Sequence, residues 1–248
     1  MSNVTYVKNE DIVLNFKNGF AQTELLAGVY PGVKHYRCVL KAGCKTTPET
    51  YGKSLQILCL TNGEGYITTP KKAFSINELS FFVANLDEKF TIVAATDLTF
   101  TKFVVDLTDH DIEVYNSTHL VLPYFRPIST ATEYWQSCKT PDTRSWSIIN
   151  GKQLNRIMMG VVKSGEGGTI EKGHPPVAQW NVILDDSDLT LTVDGESVDQ
   201  KSGDFSYVPA GLDHSLVGKP GKSLNYIWFE HYVQEIDYIV TNPRHKED

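Results

Sequence analysis

The sequence predicts an all-β protein made of two similar halves, each a sandwich or barrel. Three observations carry this. Short runs rich in β-branched and aromatic residues recur along the chain, such as H-Y-R-C-V-L-K from His35, L-Q-I-L-C-L from Leu55 and W-N-V-I-L from Trp180. Turn signals, among them Asn18-Gly19, Pro31-Gly32 and Asn62-Gly63, divide those runs every eight to twelve residues. The chain also matches itself. A slide of 126 positions lays Asn77–Glu88 over Gly203–His214, with Ser80, Ala84, Leu86 and Asp87 meeting identical residues. A self-match at this length signals a duplicated domain, since solenoid periods are shorter.

Residues 1–120 form the first half in this reading, 121–145 a connector, 146–240 the second half and 241–248 a charged tail. Within the first half, strands follow from His35 through L-S-F-F-V, F-T-I-V-A-A and L-T-F-T-K-F-V-V-D-L. No segment there carries a sustained helical period. The polar stretch from Thr108 and the proline-bearing Y-F-R-P-I-S-T break the pattern, and T-E-Y-W-Q-S-C-K is expected as a short helix. Strands resume near Trp146 and end with L-N-Y-I-W-F-E-H-Y.

Composition narrows the function. The chain has 248 residues, 41% of them hydrophobic and 21% charged, values of a globular protein. A formal net charge of −7 argues against a nucleic-acid surface, which needs clustered Lys and Arg. No apolar run approaches the ~20 residues that cross a bilayer, and the opening M-S-N-V-T-Y-V-K-N-E-D, with no basic start or apolar core, is not expected to be a secretory signal. Cys38, Cys44, Cys59 and Cys138 lack paired spacing and read as free thiols in a reducing, cytoplasmic compartment. Phosphate loops, nucleophile elbows, Cys-x2-Cys pairs and H-E-x-x-H are all missing, which disfavours nucleotide-driven and serine-type chemistry.

The stretch of greatest chemical interest is G-D-F-S-Y-V-P-A-G-L-D-H, Gly203 to His214. It reads as a strand, a Pro209-Ala210-Gly211 turn, and a histidine heading the next strand. Proline fixes φ at the turn entrance and glycine accepts positive φ, so the histidine that follows is held in one place. Upstream, Gly168 and His174 stand at G-x5-H. These two motifs, G-x5-P-x-G-x2-H and G-x5-H in that order, resemble those of the cupin superfamily. Across roughly residues 30 to 240 the chain resembles a bicupin, with two double-stranded β-helix (jelly-roll) barrels in tandem.

The resemblance implies a site in the mouth of the second barrel. His174 and His214 match the family's histidine positions, Pro176 replaces its second histidine, and Gln179 stands nearest the carboxylate position. His174, Gln179 and His214 are therefore the implied ligands of a divalent metal, Mn, Zn, Fe or Ni, at a site that could equally work without one. Among two-barrel cupins the arrangement is similar to (S)-ureidoglycine aminohydrolases, although their ligand order is not reproduced here. A metal-free small-ligand binder and a cupin dioxygenase are the alternatives. A small-molecule partner and a homo-oligomer are expected.

Trp180, Tyr207, Tyr226 and Trp228 lie on strands flanking that mouth and are candidate substrate contacts. Glu230 shares parity with Tyr226 and Trp228, whereas His231 points to the opposite face. A buried carboxylate at Glu230 would serve as general base. Arg126 and Asp213 read as surface and turn residues. The first half lacks both motif histidines: Glu88 stands where the second half has His214. Glu49, Gln56 and Glu88 are the residues there that could hold a hard cation, but a barrel retained for packing is the expectation.

Overall fold

A computed structural model describes residues 4–117, 121–174 and 176–235. The predicted tail, 241–248, lies outside them. The fold is all-β, as expected, in the form of cupin-like jelly-roll barrels. Two compact units comprise Ile12–Ile112 with Leu120–Ala131, and Met1–Asp11 with Glu113–His119 and Thr132–Asp248.

The first unit packs a six-stranded sheet against a four-stranded one. The larger sheet runs in spatial order Tyr124–Pro127, Ser80–Val83, Ser54–Asn62, Leu98–Asp106, Val33–Leu40 and Phe20–Glu24. The smaller contains Lys45–Thr46, Thr91–Ala94, Gly65–Thr68 and Ala73–Ile76. All pairings are antiparallel, and alternation along each strand sends one set of side chains inward. Cys38, Leu58, Phe82, Phe100 and Ile92 meet in that interior.

The second unit repeats this plan. Its seven-stranded sheet runs Thr5–Val7, Phe205–Val208, Val177–Ile183, Leu224–Tyr232, Ile157–Ser164, Arg144–Asn150 and Thr132–Tyr134. The facing sheet runs Gly168–Glu171, His214–Gly218, Asp188–Val193 and Glu196–Lys201. Leu189, Leu191, Leu216, Val208 and Tyr226 form the apolar floor between them.

Three local expectations differ from the structure. Residues 5–7, grouped by sequence with the first half, pair with Phe205–Tyr207 of the second unit. Val4 is buried there, and Asp204 accepts from the Asn9 backbone N–H at 2.8 Å. The stretch expected as a short helix after Thr132 instead begins with a strand, Thr132–Tyr134, paired to Ser145–Ser147. Its Thr, Tyr and Trp side chains favour the extended backbone once a partner strand is available. Conversely, Asp109–Ser117 is an α-helix. Its start is a capping arrangement: Thr108 Oγ accepts from the Asp111 N–H, and Asp111 Oδ2 accepts from the Thr108 N–H.

All four cysteines are free thiols. Burial pushes the Cys38 thiol up to about 12 and raises that of Cys59 further. Among the described residues no helix is long and apolar enough to span a membrane.

Candidate metal centre in the second barrel

The centre is assembled by two turns that are tied together. One follows strand Gly168–Glu171 and carries His174; the other is the Pro209-Ala210-Gly211 corner that precedes His214. Gly211 adopts φ +87°, and its N–H donates to the His174 carbonyl at 3.1 Å. Asp213 clamps the same junction, accepting from the Gly173 N–H at 2.9 Å and from Lys172 Nζ at 2.7 Å. Those two bonds hold its carboxyl below the usual carboxylate range. Backbones approach so closely that a Cβ on Gly173 would lie 2.1 Å from the Gly211 carbonyl oxygen. Only glycine fits at that crossing.

Four side chains converge beyond this junction. His174 Nε2 lies 3.1 Å from Glu171 Oε2, and His214 Nε2 lies 3.9 Å from the same oxygen. His214 Nε2 is also 3.2 Å from Gln179 Oε1. Glu171, His174 and His214 offer ligand atoms all within 4.8 Å of one another. The two histidine rings sit 6.0 Å apart, centroid to centroid. His214 is buried, whereas the His174 side chain is 40% exposed at the rim.

The hydrogen-bond directions are informative. His214 Nδ1 is 3.1 Å from the Leu212 carbonyl and Nε2 faces the Gln179 oxygen, so both ring nitrogens look toward acceptors and the ring proton can sit on either. With the proton on Nδ1, Nε2 presents a lone pair that a cation can take. Gln179 donates its amide N–H to Asn181 Oδ1 at 2.8 Å, turning its own oxygen toward His214. Asn181 in turn donates to Ser206 Oγ, which donates to Gln200. Two imidazole nitrogens, an amide oxygen and a carboxylate therefore meet around one point, a donor set that a divalent cation can take.

The cavity beside this point measures about 280 Å³. Glu171, His174, Gln179, Trp228, Glu230 and Lys139 are among the residues that line it. Burial pushes the Glu230 carboxyl up to about 7, a rise that Glu171 reinforces and that His174 and Lys139 oppose. Burial also raises Glu171, but its bond to His174 and the nearby His214, His174 and Lys139 outweigh that and leave it below its ordinary value. Two carboxylates in one pocket are thus driven apart, one held below its ordinary value and one raised to titrate near neutrality. Lys139 stacks 4.0 Å over the Tyr134 ring and donates to Gln136 Oε1 at 3.0 Å.

Of the sequence-predicted residues, His174, Gln179, His214, Trp228 and Glu230 are brought together here. Trp180 and Tyr207 are a correction. They pair across adjacent strands and stack with rings 5.1 Å apart on the face opposite Gln179, away from the cavity. Tyr226 does point inward, but lies fully buried in the barrel core, its hydroxyl 2.9 Å from Thr169 Oγ. Glu171 and Lys139 were missed. Glu171 shares strand parity with the inward Thr169 and stands three residues before His174, a signal present in the sequence.

No protein-family sequence model matches the chain, and no curated protein matches its sequence. Solved structures do share its fold. A Pseudomonas aeruginosa protein named for induction by glyoxylate superposes with a TM-score of 0.75 at 11% identity, covering 94% of this chain and 89% of that one. A cupin 2 conserved barrel domain protein from Leptotrichia buccalis gives 0.62 at 14%, covering 92% and 96%. Oxalate decarboxylase from Bacillus subtilis gives 0.68 at 14%, covering 93% and 78%. At these identities the likeness defines the class by architecture: a cupin-fold protein.

Proposed function

We propose that the second barrel is the active site of a metal-dependent enzyme acting on a small polar metabolite, with Glu171, His174, His214 and Gln179 as the ligands of one divalent cation. The observation that carries this is the convergence of Glu171, His174 and His214, whose ligand atoms all lie within 4.8 Å of one another, with Gln179 Oε1 3.2 Å from His214 Nε2. The set mixes imidazole nitrogen with oxygen donors, which suits Mn, Fe, Ni or Zn. It leaves positions for water or substrate to complete. Bacillus subtilis oxalate decarboxylase, which shares the fold, has Mn(II) centres.

A bound divalent cation would act as a Lewis acid, polarising a substrate carbonyl or imine and lowering the pKa of water. The protein's own groups supply the rest. Glu230 is poised to give a proton below about pH 7 and to take one above it, the property a general acid-base needs. Lys139 places a positive charge on the cavity wall, and Trp228 an apolar face. A volume near 280 Å³ restricts the substrate to a few heavy atoms' width. Hydrolytic removal of an amine from a small amino or ureido acid is the reaction we favour, in keeping with the resemblance to ureidoglycine aminohydrolases.

Elemental analysis of the purified full chain tests the reading. About one divalent ion per chain is expected, lost in His214→Ala and in Glu171→Gln. Ammonia release from a panel of ureido and amino acids then tests the reaction, with Glu230→Gln expected to lower kcat by about 100-fold or more. Wild-type protein that takes up no Mn, Zn, Fe or Ni, yet is stabilised against heat by a metabolite, would make the second barrel a metal-free binder instead.

A further inference from the structure

The first barrel is not an empty copy. Its inner face carries a lysine, Lys102, on strand Leu98–Asp106, two residues from the core residue Phe100 and therefore on the same side. Lys102 is 4% exposed. Its ammonium lies 4.7 Å over the ring of Tyr36, its cross-strand partner. Among the described residues no carboxylate comes within ion-pair distance of it. Desolvation lowers the Lys102 amine below its ordinary value, while Cys38 and Glu49 act in the opposite sense.

A second polar group is stranded beside it. Gln56 is 3% exposed, sits opposite Val104 and so diagonally from Lys102 on the inner face. Its amide nitrogen donates to the Glu49 carbonyl at 2.6 Å, which turns the amide oxygen away. That oxygen is buried with no donor. A buried ammonium with no ion-pair partner and a buried carbonyl with no donor each cost stability. The two together describe a complement: an anion for Lys102 and an N–H or O–H for Gln56. The Lys102 ammonium also opposes the hard cation that Glu49, Gln56 and Glu88 suggested from sequence.

We propose that the first barrel is a second small-molecule site, in which Lys102 and Gln56 together bind a small carboxylate that carries a hydroxyl or amino donor. Lys102 would pair with the carboxylate, and Tyr36 would cover it with its ring. Gln56 would accept from the substituent on the neighbouring carbon. This site shares no residue with the metal centre, so it stands or falls independently of the second barrel's chemistry.

Calorimetric titration of the full chain with lactate, and with propionate as the analogue lacking the hydroxyl, tests it. Wild type is expected to bind lactate at one site at least 5-fold tighter than propionate. Lys102→Met should weaken lactate by 10-fold or more, Gln56→Leu should abolish the preference over propionate, and Lys139→Met in the second barrel should leave both values unchanged. If Lys102→Met fails to fold, the Gln56→Leu comparison decides alone. No heat from lactate up to tens of millimolar, equal binding of the two acids by wild type, or binding lost in Lys139→Met but kept in Lys102→Met would each overturn the proposal.

Discussion

At the residue scale, Glu230 makes the most direct prediction. Its carboxyl is raised to about 7 in the folded chain and is ordinary when unfolded. Between roughly pH 4.5 and 7 the folded state therefore holds the proton more tightly, and stability falls as pH rises through that window. In metal-free protein, raising the pH from 5 to 8 should lower Tm more in wild type than in Glu230→Gln. Equal slopes would show that the folded chain does not raise the Glu230 carboxyl. How far single residues were legible depends on alternation. His174 and His214 stood out because turn chemistry fixes them: glycine and proline mark the turns around both. Once Gln179 is taken as inward, Trp180 must face outward, and the same parity rule that separated Glu230 from His231 would have excluded it. Glu171 escaped because the family spacing drew attention to His174, although its place beside the inward Thr169 was readable. Lys139 was not readable, since only the isolated pairing of Lys139 with Thr169 brings it to the cavity.

Elements set the precision of the centre. Two turns, each carrying one histidine, are locked by the Gly173–Gly211 crossing and by Asp213. Replacing Gly173 by alanine forces its Cβ against a backbone oxygen, which cannot rotate away. The turns must separate, and the Glu171 and His174 ligand atoms move with one of them. Gly173→Ala should weaken metal affinity by about 10-fold or more, as loss of supporting contacts does at metal sites, measured by competition with a chelator. Unchanged affinity would show that the crossing does not position the ligands. Strand content was legible at this scale because β-branched runs and turn dipeptides agree. The helix Asp109–Ser117 was not: its side chains are polar, and its signal lies in the Thr108–Asp111 cap rather than in an apolar period.

Across the whole molecule, the two units share one layout. Both units build a jelly roll from a larger and a smaller sheet, and both turn polar groups into the lumen. Where the second presents Gln179 opposite Glu230, the first presents Gln56 opposite Val104, with Lys102 two residues along that strand. The self-match of Asn77–Glu88 with Gly203–His214 made the repeat visible from sequence. It could not reveal that the first residues join the later barrel, since a three-residue strand carries too little pattern. Thr5–Val7 extends the larger sheet at its edge, with Val4 in the core and Asn9 bonded to Asp204. Deleting residues 2–11 should therefore lower Tm and weaken metal binding in the second barrel while leaving lactate binding in the first intact. Loss confined to the first barrel would contradict the strand pairing.

The proposed metal centre comes down to a single point in the second barrel. Crystals of the full chain soaked in Mn(II) should show an anomalous peak about 2.2 Å from His174 Nε2, His214 Nε2 and a Glu171 carboxylate oxygen, with Gln179 Oε1 in reach. A peak elsewhere, or none while His214 remains hydrogen-bonded to Gln179, would contradict it.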